Sequence, residues 1–258
     1  MGFVIKFFLR NGIHSRRTLW MIVLSLIPVG IAILLFLMRS FLTKQGVELS
    51  TFFQQVSFFL FLHFLLPLMA VFIGTAIIAD EVEERTLPYL LVRPIPRPSL
   101  VLAKMIAGVL TVGFFLFVSL GLTYSIMVID RGFDGWMSGI SNLLRSGAVL
   151  FLGVFVYIPL FGFLGGMVKR PVLAGLLLTF GWENSIAFFP GNVKLLTVVH
   201  YLHVLFPPLP QTRLIDLILP AKQISSVTAL LILLVMTAVF SGLLVSLLVV
   251  KEYRLEQS

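Results

Sequence analysis

Long apolar runs separated by short charged segments make up almost the whole chain. Five of these runs contain no Asp, Glu, Lys or Arg: Leu19–Met38, Val56–Ala79, Met105–Ile129, Ser146–Val168 and Ile224–Val250. Each has the length of about 20 residues that a helix needs to cross the hydrocarbon core of a bilayer. A sixth run, Pro171–Phe189, is interrupted by Glu183. We therefore predict an all-α integral membrane protein with six transmembrane helices, at about 19–38, 56–79, 105–129, 146–168, 171–189 and 224–250.

Composition supports a membrane protein and removes several kinds of site. Hydrophobic residues make up 59% of the chain, charged residues 12%, and the mean hydropathy is +1.08. A soluble domain is about half apolar and about a quarter charged. The chain has no cysteine, which excludes disulfides, thiolate metal sites and cysteine nucleophiles. Residues 1–258 are predicted to form one transmembrane domain.

The distribution of basic residues predicts the orientation. Most of the 19 Lys and Arg residues fall on the side that carries both termini if six spans are assumed. Because cytoplasmic loops are enriched in Lys and Arg, both termini are expected in the cytoplasm, in the cell (inner or plasma) membrane. Residues 2–17 place aromatic residues on one helical face and basic residues on the other, which predicts an N-terminal interfacial helix.

Glu183 is the one acidic residue inside a predicted span, and it admits two interpretations. Either it faces a polar cavity, or the helix ends near Gly181 and the following residues fold back at the outer surface. An ionised carboxylate in the bilayer core is expensive, so the second interpretation is favoured. The proline-rich, apolar stretch that follows, before the last span, predicts one or two short helices at the outer surface.

The histidines are candidate polar sites within apolar surroundings. His200 and His203 are three residues apart and share a helical face, so a metal pair is conceivable, although interfacial histidines are the favoured interpretation. His63 is predicted to be a buried, bundle-facing residue. Glu183, His200 and His203 are our candidates for the translocation path or an outer gate.

Sequence motifs give no sign of catalysis in this chain. It contains no G-x-x-x-x-G-K-[ST] loop for ATP phosphates, no G-x-S-x-G elbow and no H-E-x-x-H metal motif. We predict no catalytic, cofactor-binding or metal residues and no nucleic-acid partner. The pattern is that of a membrane component driven by another protein.

The segment between the second and third runs, residues 80–99, differs from everything around it. Four acids, at positions 80, 81, 83 and 84, are followed by Thr86 as a helix cap and by an apolar face of Leu87, Leu90 and Leu91. Prolines then stiffen the return to the membrane. A leucine face exposed to the cytoplasm predicts docking into a groove on another protein.

This segment resembles the coupling region of permeases of the ABC transporter type-2 exporter class. The resemblance rests on the order E-x-E-x-x-T-L, L-L, P-x-x-R and a lysine seven residues later. It implies that the following residues couple the permease to an ATPase: Glu81, Glu83, Glu84, Arg85, Thr86, Leu87, Tyr89, Leu90, Leu91, Arg93, Pro94, Arg97 and Lys104. Two departures, Arg85 where glycine is common and Pro96 where serine is common, are expected to affect which ATPase fits.

The resemblance also implies the composition of the transporter. The chain is expected to form the translocation path of an ATP-driven exporter, with two copies of an ATP-binding subunit that hold ATP and Mg²⁺. A second copy of this chain or a related permease completes the assembly. Two other hypotheses remain: an ion-coupled secondary carrier that uses Glu183, and an intramembrane metal enzyme built from Glu183, His200 and His203. The substrate is not indicated.

Overall fold

The part of the chain that the structure describes is almost entirely helical. A computed structural model describes residues 16–44, 49–83, 97–187, 192–209 and 224–255, and these residues contain no strand. The prediction of an all-α membrane protein is confirmed at this level. The predicted interfacial helix at residues 2–17 lies outside the described residues, except for Arg16 and Arg17, which begin the first long helix.

Ten α-helices, two π-helical segments and two 3₁₀ turns follow one another along these residues. The α-helices are α1 Arg16–Leu37, α2 Arg39–Lys44, α3 Leu49–Val56, α4 Leu66–Glu83, α5 Arg97–Val128, α6 Gly132–Met167, α7 Pro171–Leu176, α8 Asn184–Ala187, α9 Val198–Leu205 and α10 Ser226–Leu255. The first π-helical segment, Ser57–Leu65, joins α3 to α4, and the second, Leu177–Glu183, joins α7 to α8. The 3₁₀ turns are Ile129–Arg131 and Asn192–Leu196.

Within the described ranges, four helical stretches are long and apolar enough to cross a membrane. They are Thr18–Leu37, Phe52–Ile78, Val101–Met167 and Ser226–Leu247. The third contains two helices, α5 and α6, of 32 and 36 residues. At about 1.5 Å per residue, each exceeds the roughly 30 Å hydrocarbon core. These stretches cover five of the six predicted spans, and the chain is a multi-pass membrane protein.

The most extensive helix contact is between α4 and α6, and glycines make it close. A methyl group added at Gly165 of α6 would lie 2.5 Å from the backbone oxygen of Thr75 on α4. One added at Gly74 of α4 would lie 2.8 Å from the Cβ of Phe161. Small residues allow such close backbone approach between helices in membranes. The two helices therefore form a tightly packed pair at the centre of the bundle.

The outer helices pack on this central pair and present apolar surface. α5 lies against α6 and α1, and α10 lies against α6. Both α1 and α10 leave large apolar side chains exposed, such as Leu37 at 74% and Val227 at 67%. Such surfaces are stable in a lipid environment but not in water.

Two contacts identify the two ends of the bundle. Arg39, just after α1, forms an ion pair with Asp130 in the turn between α5 and α6. We call this the Arg39 end. Towards the opposite end, Lys104 Nζ of α5 donates to the carbonyl of Ile77 on α4, at 3.4 Å. Glu83 closes α4 at that end, and Arg97 opens α5 there; we call it the Glu83 end.

The α4–α6 contact leads to a prediction about Gly165. Gly165→Ala should lower the free energy of unfolding by about 1–3 kcal/mol relative to Gly121→Ala, because the new methyl group meets backbone atoms that cannot rotate away. Gly121 of α5 is the matched control, since nothing lies within 4 Å of its added methyl group and both changes gain the same helix propensity. Thermal unfolding of the two purified variants measures the difference; equal stabilities would mean that the helices are not closely packed.

Candidate functional site

Polar side chains from four segments meet inside the bundle. His63 comes from the first π-helical segment, Tyr157 from the middle of α6, Glu183 and Asn184 from the junction of the second π-helical segment with α8, and His203 from α9. We call these five residues the polar cluster. π-helical segments within α-helices are frequently found at functional sites, and two of the four elements that meet here contain one.

Glu183 caps the N-terminus of α9. Its Oε1 accepts a hydrogen bond from the backbone N–H of Val198 at 3.1 Å, and its Oε2 accepts one from Val199 at 3.0 Å. Thr197, the residue at the N-cap position, does not serve this purpose, because its hydroxyl donates to the carbonyl of Lys194 at 2.7 Å. The carboxylate therefore replaces the usual local cap from a distant part of the chain.

A third donor completes the surroundings of the carboxylate. The Tyr157 hydroxyl donates to Oε2 of Glu183 at 3.1 Å, and Glu183 is only 4% exposed. The positive end of the α9 dipole also favours a negative charge here. Our expectation that the helix ends near Gly181 was wrong, since helical turns continue to Ala187. Glu183 is instead buried in protein, with its oxygens occupied by three donors.

Pro67 explains why the backbone carbonyl of His63 is bound by another segment of the cluster. In a regular α-helix the N–H of residue 67 would donate to the carbonyl of His63, but proline has no N–H. The side-chain amide of Asn184 donates to that carbonyl instead, at 2.7 Å. Neighbouring segments often satisfy backbone groups freed by proline within membrane helices. The polar side chain of Asn184 thereby ties α8 to the first π-helical segment.

The imidazole rings of His63 and His203 are in direct contact. Their Nε2 atoms are 2.8 Å apart, and their ring centroids are 4.7 Å apart. The Nδ1 of His63 lies 2.9 Å from the carbonyl oxygen of Phe58. The Phe58 ring packs beside both imidazoles. His63 is 7% exposed, so the prediction of a buried, bundle-facing histidine is confirmed.

The C-terminus of α9 is also bound by a charged side chain. Arg145 of α6 donates from Nε to the carbonyl of Leu205 at 3.2 Å. A carboxylate at the N-terminus and a guanidinium at the C-terminus both complement the helix dipole. This eight-residue helix is thus held at its two ends and, through His203, in its last turn.

His200 lies on α9 but does not join the polar cluster. It is 8% exposed, and its Nε2 has no hydrogen-bond partner. Burial lowers its pKa below the ordinary value, and the nearby positive charge of Lys194 lowers it further. Among the described residues, no group of three or more His, Asp or Glu could hold a metal ion. The metal trio of His200, His203 and Glu183 is not assembled, because Glu183 binds the end of α9 and His203 faces His63.

The family of the chain follows from comparison with known proteins. The family described as ABC-2 family transporter protein matches residues 13–182. The chain belongs to this family. It is a multi-pass membrane permease of an ABC transporter, and the family implies partnership with an ABC ATP-binding subunit. A comparison with curated proteins finds no significant match.

The described part of the permease includes only the borders of the predicted coupling segment. Glu81 and Glu83 belong to the last turn of α4, and Arg97 is the first residue of α5. Lys104 holds α5 against α4 through its hydrogen bond to Ile77. The remaining predicted coupling residues lie outside the described residues: Glu84, Arg85, Thr86, Leu87, Tyr89, Leu90, Leu91, Arg93 and Pro94.

Sequence reasoning found some members of the polar cluster and missed others. Glu183 stood out because it interrupts an apolar run, and His203 because it lies three residues after His200 on the same helical face. Tyr157 and Asn184 were missed, since a single tyrosine or asparagine in an apolar helix has many uses. Pro67 gave a usable signal, because it frees the carbonyl of His63 and requires a donor from elsewhere.

The capping of α9 predicts the effect of changing Glu183. In Glu183→Gln one carboxylate oxygen becomes an amide nitrogen, which donates and cannot accept, so that one of the two N–H groups of Val198 and Val199 loses its acceptor. The amide protons of these two residues should then exchange roughly 10-fold faster or more, which corresponds to about 1–3 kcal/mol. Tyr157→Phe is the matched control, because it keeps both backbone hydrogen bonds and should have the smaller effect. Unchanged exchange in Glu183→Gln would contradict the capping role.

Proposed function

We propose that the permease is the transmembrane subunit of an ATP-driven exporter. It lies in the cell membrane, forms the translocation path through six spans and has both termini in the cytoplasm. Residues 81–98 dock on a separate ATP-binding subunit, and two such subunits act on two permeases. The family match and the arrangement of α4 and α6 support this proposal.

The observation that carries the proposal is one helical unit that reaches from the coupling segment to the polar cluster. The first π-helical segment runs without interruption into α4, which ends at Glu83. His63 and Glu83 are 20 residues apart, or about 30 Å at about 1.5 Å per residue. A push applied next to Glu83 would therefore displace the residues that hold α9.

Close packing passes the same displacement to α6. Because backbone atoms of α4 and α6 approach each other at Gly74 and Gly165, the two helices cannot slide independently. α6 carries Tyr157 and Arg145, which bind the Glu183 cap and the last turn of α9. Movement of the α4–α6 pair therefore alters the contacts on both sides of α9.

The predicted docking chemistry divides between apolar and charged residues. Leu87, Leu90 and Leu91 would fill a groove on the ATP-binding subunit and bury apolar surface there. The charged side chains around them, including Glu84 and Arg85, would set the orientation of docking by electrostatic complementarity. Lys104 contributes from within α5, where it fixes the distance between the two helices that frame the segment.

At the other end of this unit, α9 is proposed to close the outer side of the path. Its buried residues, among them Val199 and Leu202, pack into the bundle beside α6 and α10. Glu183 and His203 hold it there, while His200 lies unpartnered at its Nε2. Release of these contacts during the ATPase cycle would open the exit for the substrate.

The docking role is tested by substitution of two leucines. Leu90→Asp combined with Leu91→Asp should abolish co-purification with the ATP-binding subunit, because two carboxylates in an apolar groove would be buried without partners. Membrane insertion of the permease should be unchanged. Phe133→Asp is the matched control, since Phe133 is 75% exposed at the Arg39 end, away from the predicted dock. Retained co-purification in the double variant would argue against docking through this segment.

Dependence on ATP separates an exporter from an ion-coupled carrier. In proteoliposomes that contain the permease and its ATP-binding subunit, transport should stop when ATP is removed or vanadate is added. It should not stop when an ionophore collapses the ion gradients. A carrier driven through Glu183 gives the reverse pattern, which would overturn the proposal.

A further inference from the structure

The hydrogen bonds around His63 fix where protons lie in the histidine pair. A carbonyl oxygen only accepts, so the contact of 2.9 Å to Phe58 requires a proton on Nδ1 of His63. A neutral imidazole then has a bare Nε2, which must accept. The Nε2 of His203, at 2.8 Å, must therefore be the donor. The neutral pair holds one shared proton, and its geometry depends on that proton being the only one between the rings.

Several charged or titratable groups surround this pair from the elements that pack on it. His200 lies on the same helix, and Lys194 lies in the turn before it. Glu183 and Tyr157 bind each other and the N-terminus of α9, so the carboxylate is engaged there rather than by the imidazoles. Arg145 lies at the C-terminus of α9.

We propose that the His63–His203 pair is a proton-binding site that controls how firmly α9 is held in the bundle. The neutral pair joins α9 to the helical unit that ends at Glu83. Uptake of a proton places a positive charge among Phe58, Phe206 and the helix walls. A second proton between the rings would set two N–H donors against each other. Either change favours separation of α9 from His63.

The direction of the pH effect follows from burial. Burial, together with the neighbouring His63 and His200, holds the pKa of His203 well below its ordinary value. A histidine released into water regains a pKa of about 6.5. The separated state therefore binds more protons at low pH. The closed contact keeps its full stability above about pH 6.5 and loses it progressively as the pH falls below that value.

The magnitude can be given for one histidine. If it titrates near pH 6.5 in the separated state and stays neutral in the closed one, the ratio of separated to closed molecules rises about 30-fold between pH 8 and pH 5. The role of this shift in gating rests on the proposed function. Proton binding itself does not, and it can be measured on the permease without an ATP-binding subunit.

The absence of cysteine allows a direct measurement of the position of α9. Leu196, 65% exposed just before α9, and Leu144, 54% exposed on α6, are replaced by Cys and spin-labelled in lipid nanodiscs. The distance distribution is recorded between pH 8 and pH 5. We expect one distance at pH 8 and a second population that grows as the pH falls. A distribution that does not change with pH overturns the proposal.

Variants assign the effect to the pair. The double variant His63→Gln/His203→Gln, in the labelled permease, should remove the pH response of the pair, because glutamine does not titrate in this range. His200→Gln is the matched control and should keep the response, since His200 lies on α9 but outside the pair. A response of full size in the double variant, or one that disappears in the control, overturns the proposal.

A measurement on the unsubstituted permease covers the case in which a variant fails to fold. Nitrogen-15 NMR of labelled histidine distinguishes the two ring nitrogens by protonation. At pH 8 we expect His63 protonated on Nδ1 and His203 protonated on Nε2, and at pH 5 an additional proton on the pair. A neutral His63 that carries its proton on Nε2, or a pair that takes up no proton by pH 5, overturns the proposal.

Discussion

A buried carboxylate sets the organisation of the half of the bundle that contains α9. An ion inside a membrane protein loses its hydration, which costs several kcal/mol unless donors replace the lost water. Glu183 obtains two donors from the start of α9 and one from Tyr157. α9 must therefore lie against the second π-helical segment, and α6 must turn Tyr157 towards it. The positions of three elements follow from the solvation of one side chain.

The same constraint explains why the cluster links helices that are distant in sequence. Glu183 and Val198 lie 15 residues apart in the chain, whereas His63 reaches the cluster from another span. Pro67 makes that link necessary, since the carbonyl it frees needs the amide of Asn184. The missing N–H of Pro67 and the buried charge of Glu183 thus bring together the first π-helical segment, α8 and α9.

The sequence predicted the helical class and the long apolar helices well, because hydrophobic length is a strong signal for a membrane helix. It predicted Glu183 as an unusual residue but not its environment. The donors that stabilise Glu183 are backbone N–H groups of α9, and backbone groups have no signature in a sequence. The close contact at Gly165 was likewise not predicted, since the position of Thr75 opposite it depends on how the helices pack. The family match covers residues 13–182, and so it includes Tyr157 but ends one residue before Glu183 and does not reach the backbone donors of α9.

The length of α9 has a consequence for the order in which the permease is assembled. A helix of eight residues is too short to be stable alone, because the cost of nucleation is not recovered over so few hydrogen bonds. Its cap, its histidine contact and its C-terminal guanidinium are supplied by spans that precede it in the chain. α9 can therefore become helical only after those spans have been inserted and packed. It joins a structure that already exists, and its docking is a late step in the biogenesis of the protein rather than an independent folding event.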